Sequence, residues 1–92
     1  MDKSEAYIVL TKHLIPLLSY DESVRHVQAD HFMSFEVSGD TGTRYLVEVE
    51  FFWIDKHKRN VEVIGSIQFA DGRSSLTLSQ SFTVNHPDDE SR

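Results

Sequence analysis

An α+β fold, an N-terminal helix packed on a four-stranded antiparallel meander sheet (α-β-β-β-β, two layers), is what this sequence predicts. Three observations lead there. The segment from Asp2 to Ser19 spaces its apolar residues as a helix does. From Tyr45 onward, apolar and polar residues alternate through three long runs, as they do on half-buried strands. The clusters between those runs are turn-formers, too short for a parallel crossover, which needs a dozen residues or more.

The helix comes first, from residue 3 to about 17. Asp2 can cap it, with Glu5 three residues on reaching back. Tyr7, Leu10, Leu14, Leu17 and Leu18 make one apolar stripe, while Glu5, Lys12 and His13 decorate the other side. Pro16 cannot donate to the Lys12 carbonyl and pushes Ile15 out of helical geometry, so the helix should kink or stop there.

From Tyr20 to Asp30 two readings compete. Asp21, Val24 and Val27 fit a short helical turn, whereas Val27, Ala29, His31, Met33, Phe35 and Val37 alternate as one long strand. The sequence favours a first strand over 31–38 that can begin earlier. The next strands put Tyr45, Val47, Val49, Phe51 and Trp53 on one face, then Val61, Val63, Gly65, Ile67 and Phe69, then Leu76, Leu78, Gln80, Phe82 and Val84. Ser38–Gly42, Asp55–Asn60 and Asp71-Gly72 supply the turns. Glycine costs stability inside a strand, so Gly65 marks a place where the helix crosses closely. Residues 1–86 read as one domain and 87–92 as a loose acidic tail.

Composition sets the limits. A chain of 92 residues buries roughly 60–65% of its unfolded surface, enough for one shallow core. Eight of the ten aromatic residues fall in the expected strands, so the core belongs mainly to the sheet. With no cysteine, disulfides and thiolate metal sites are excluded. No apolar run approaches the ~18 residues of a membrane span, and the polar opening Met1–Glu5 is unlike a secretory signal. A cytoplasmic protein with no membrane partner is the expectation. Net charge of −6 opposes phosphate-backbone binding, and the cluster Lys56-His57-Lys58-Arg59 reads as a solvated turn, so nucleic acid is not an expected partner.

Chemistry-bearing motifs are missing from the sequence: no P-loop, dinucleotide fingerprint, zinc-protease helix or nucleophile elbow is present. His26 and His31 have opposite parity on a strand and Asp55 and His57 share a turn; neither spacing suits a metal, so no catalytic residue, metal or cofactor is assigned. Replacing His26, His31 or His57 by Ala should abolish no specific activity. Glu48 and Glu50 share a strand face but alternate with core residues, the pattern of a solvated surface.

Two features point instead to a binding surface. The sheet face turned away from the helix should be polar, yet it carries Phe32, Leu46, Phe52, Ile54 and Ile64. Pairing Trp53 with Val63 and Met33 with Val49 places Phe52 opposite Ile64 and Phe32 diagonal to Phe52. The last strand, with Thr77, Ser79, Ser81 and Thr83 on its outer face, lacks the charges and prolines that usually guard a sheet edge. The expected function is therefore a small non-catalytic protein-interaction module, homodimeric through the second face or the edge strand, with itself or another protein as partner. The alternative is a small-molecule binder or enzyme, with a pocket between helix and curled sheet lined by His31, Tyr45 and Trp53.

Overall fold

A computed structural model describes residues 3–71 and 77–87. Asp2, Leu76 and residues 88–92 of the expected tail, the first two assigned a cap and a core position, lie outside them. Within the described residues the order is α1 (Lys3–Leu14), a 3₁₀ turn (Ile15–Leu17), α2 (Tyr20–Ala29), β1 (Phe32–Ser38), β2 (Arg44–Trp53), β3 (Val61–Phe69) and β4 (Leu78–Val84). The strands pair antiparallel in sequence order, β1-β2-β3-β4. This is the α+β architecture the sequence predicts, with a second, short helix added.

Pro16 acts as expected. Regular helix ends at Leu14, and Ile15–Leu17 tighten into a 3₁₀ turn closed by the Leu18 N–H on the Ile15 carbonyl, 3.1 Å away. The inward stripe of α1 is rotated from the expected one. Ala6, Val9, Leu10 and Leu14 are buried, whereas Tyr7 faces out beside Ile8 and Ile15. In this rotation Glu5 is anchored on the β1–β2 turn. Its carboxylate accepts bonds from the Thr41 N–H (3.2 Å), the Thr41 hydroxyl (3.0 Å) and the Tyr45 hydroxyl (2.5 Å). A side chain on Gly39 would collide with that carboxylate, its Cβ only 2.6 Å from Oε1.

Residues 20–29 form a helix, not the start of a strand. Ser19 accepts from the Glu22 N–H at 3.3 Å, and Asp21 and Glu22 sit where the helix dipole favours acid. The Arg25 guanidinium, 2.6 Å from Glu22, holds that carboxyl below its ordinary value of 4.5. The helix ends through His31, whose φ of 62° is left-handed and whose N–H closes on the His26 carbonyl at 3.0 Å. His31 is consequently exposed, not on the core face where strand alternation would have put it.

Both helices cover the same face of the sheet. α1 crosses β3 with Leu14 over Gly65, where an added Cβ would lie 2.7 Å from Leu14 Cδ2. α2 lies over β2 and β3, burying Val27 and stacking His26 on Phe51 with ring centroids 4.8 Å apart. Between the layers Val47, Val49, Phe51, Val63 and Ile67 are fully buried, as their strand parity predicts. Phe82, expected in the core, is half-buried because β4 is an edge.

Candidate functional site

Residues 20–30 could have folded over the sheet's second face; instead they join α1 on the first. Among the described residues, no element covers the opposite face. Its side chains follow from strand parity: Phe32, Ser34 and Glu36 on β1, Arg44, Leu46, Glu48, Glu50 and Phe52 on β2, Glu62, Ile64, Ser66 and Gln68 on β3. Ser79, Ser81 and Thr83 complete it on β4.

The register differs from the expected one by two residues between β2 and β3. Trp53 pairs with Val61, so Phe52 stands opposite Glu62 and diagonal to Ile64. Phe32 pairs with Glu50 and is diagonal to Phe52, as expected. A shift of two keeps every side chain on its own face, so the apolar group survives with its members staggered. The β2–β3 loop explains the shift. Asp55 accepts from the Arg59 N–H at 3.1 Å, Lys58 adopts a φ of 57°, and the Ile54 N–H meets the Asn60 carbonyl at 2.9 Å. That closure draws Asn60 opposite Ile54 and fixes the pairing that follows.

Phe32, Phe52 and Ile54 are 46%, 45% and 49% exposed, and Leu46 and Ile64 are half-buried. The remainder of the face is acidic. Among its described residues stand Glu36, Glu48, Glu50 and Glu62 against the single cation Arg44, which pairs with Glu36 at 2.9 Å. Thr83 donates to Glu62 at 3.1 Å and Thr77 to Gln68 at 3.2 Å, tying β4 to β3 across this face. The basic loop Lys56–Arg59 lies beyond Ile54, at the apolar end.

A second apolar surface, missed in the sequence, runs along the outside of α1. Tyr7, Ile8, Thr11, Lys12, Ile15 and Pro16 line a shallow groove of about 480 Å³. Tyr7 lies here because the inward stripe is rotated away from it, and Ile15 because it opens the turn at Pro16. Ile8 and Ile15, seven residues apart and so on one side of the helix, and both outside the inward stripe, were the available signal.

His31, Tyr45 and Trp53 are not brought together. Tyr45 and Trp53 stand at opposite ends of β2, about 26 Å apart at the usual rise per residue. Tyr45 is fully buried with its hydroxyl on Glu5, Trp53 is half-buried, and His31 lies in the α2–β1 turn. Three other histidines serve as packing surfaces. His13 lies 5.5 Å from Phe35, His26 stacks on Phe51, and His86 meets the edge of Tyr20 at 5.1 Å. Among the described residues, no cluster of three or more His, Cys, Asp or Glu side chains is placed to hold a metal ion. Among the described residues, no helix is long and apolar enough to cross a membrane. No family model, curated protein or solved structure matches the chain.

Proposed function

We propose that this protein is a non-catalytic interaction module that holds another protein's surface on the open face of its sheet. One observation carries the reading: both helices pack on the same side, leaving Phe32, Phe52 and Ile54 exposed together on the other. An apolar group rimmed by polar residues is the make-up of a partner surface. Its rim gives the partner's chemistry. Four carboxylates against one guanidinium favour a surface that offers aliphatic or aromatic side chains among Lys and Arg. The same rim works against a second copy of this chain, which would bring its own four carboxylates face to face with them.

The test is a titration with two extended peptides, one alternating Leu with Lys and the other alternating Leu with Glu, followed by amide chemical shifts. Saturable binding of the Lys peptide alone, with the largest shifts at Phe32, Phe52, Ile54 and Ile64 and loss of affinity in Phe52→Ser, is the expected result. Equal binding of both peptides, or shifts centred elsewhere, would reject the assignment.

A further inference from the structure

We infer that a second copy of this chain docks on the opposite flank, where β4 pairs with its own mate to make a continuous eight-stranded sheet and the two α1 helices pack across the junction. The contact is made by the backbone edge of β4 and the outer side of α1, away from Phe32, Phe52 and Ile54, and stands whether or not those residues hold a partner.

The edge is suited to it. β4 ends the sheet, and from Leu78 to Val84 it contains no charged residue, proline or glycine. Charges and prolines are what keep natural edges from adding a strand. In a chain of net charge −6, self-association is opposed wherever carboxylates gather, and this strand is neutral along its length.

Its pattern is also complementary to itself. An antiparallel pairing about a two-fold axis at Ser81 sets Ser79 opposite Thr83 of the second copy, and Leu78 opposite Val84. Hydroxyls meet hydroxyls on one face, a favourable cross-strand pairing, and on the other the apolar ends meet with Gln80 opposite Phe82 between them. Identical patches meeting in this way close as a dimer and do not propagate.

The α1 groove extends the same flank. Thr11 lines that groove and donates to Gln80 of β4 at 3.2 Å, so helix and edge strand form one continuous surface. Gln80 neighbours Ser81 in the chain, so Thr11 lies beside the two-fold axis. With strands about 4.8 Å apart and packed helices about 8–10 Å apart, two α1 helices sharing that axis come into contact. They run antiparallel, bringing Tyr7 and Ile8 of one copy to Ile15 of the other. Ile8 and Ile15, 68% and 61% exposed in the single chain, thereby gain a partner. The strand alone falls well short of the roughly 800 Å² per partner of a standard interface, and the helix flank supplies further area.

Sedimentation of the full chain between about 1 and 200 μM tests the dimer, with a dissociation constant inside that range expected. Ser81→Lys places two ammonium groups opposite each other at the axis, and Ile8→Glu charges the helix contact. Each should weaken association by about tenfold or more. Both positions are exposed, so each variant should keep the wild-type thermal midpoint at low concentration. Phe52→Ser, on the open face, should dimerise like wild type. Amide exchange supplies a measurement free of mutation: residues 79–83 should slow as concentration rises. A wild-type chain monomeric across the range overturns the inference, as does a dimer indifferent to both Ser81→Lys and Ile8→Glu. A dimer broken by Phe52→Ser alone also overturns it and moves self-association to the open face. The peptide titration is read separately, so failure of one surface is distinguishable from failure of the other.

Discussion

Leu14 of α1 lies directly on Gly65 of β3, so close that a Cβ at position 65 would come within 2.7 Å of one Leu14 methyl and 3.1 Å of its Cγ. The contact fixes how near the helix layer comes to the sheet. Gly65→Ala should lower stability by about 1–2 kcal/mol. Overpacking costs ~1–3 kcal/mol, and part is offset because alanine loses less backbone entropy on folding. Leu14→Ala alone should cost ~2–5 kcal/mol for the cavity it leaves. Combined, the two should cost less than their sum, because the new methyl fills space the leucine vacates. Urea unfolding of the four proteins checks this. Gly65→Ala at or above wild-type stability would mean Leu14 moves aside freely and the close approach carries no consequence.

Tyr45 and Glu5 join the helix to the sheet at its other end. The phenol is 1% exposed and donates to a carboxylate, a stronger arrangement than a bond between neutral groups. Tyr45→Phe should therefore cost about 1.5–3 kcal/mol. Thr41→Ala removes a hydroxyl bond to the same carboxylate in an exposed turn, keeps the Thr41 backbone donor, and should cost less than about 1 kcal/mol. The order of the two is what matters. If Thr41→Ala were the more damaging, burial would not be what gives the Tyr45 bond its weight.

The same two helices show what was legible in the sequence. Period-2 alternation identified all four strands, because each turns one apolar face toward the helix side of the sheet, fully buried along β2 and β3 and half-buried along β1, and a slip of one residue would expose it. Helix α2 escaped because Val27, Ala29, His31 and Met33 alternate by chance across a helix end. The countersignal was present in Ser19-x-x-Glu22, the pattern of a capped N-terminus, with acid in the first turn. His31 then misled further. A residue in left-handed geometry at a helix end belongs to neither element's periodicity, and glycine, the usual marker of that geometry, is absent there. The exposed residues of the open face could be named from parity alone. That none of the described elements covers them could not, since it depends on which side α2 chooses. The register likewise lay beyond the sequence, since the hydrogen bonds of the Asp55–Asn60 loop decide it.

Phe51 and Phe52 test the open face most directly, because neighbouring residues of one chemical type lie on opposite sides of the sheet. Phe51 is fully buried beneath the His26 ring, with the two planes 14° apart, whereas Phe52 keeps 45% of its surface in solvent. Phe51→Ala should cost ~3–5 kcal/mol, through lost transfer energy and a cavity that the sheet cannot close. That is a large share of the ~5–15 kcal/mol a domain has in all, so this variant should be close to unfolding. Phe52→Ala should cost no more than about 1 kcal/mol, since only its contacts with flanking side chains on the same face are lost. Urea unfolding followed by far-ultraviolet circular dichroism measures both at one protein concentration. Comparable losses at the two positions would mean that Phe52 is covered in solution, and the open face would no longer be available to a partner. A small loss at Phe52, together with weakened binding of the Lys-Leu peptide, would separate folding from recognition at adjacent residues of one strand.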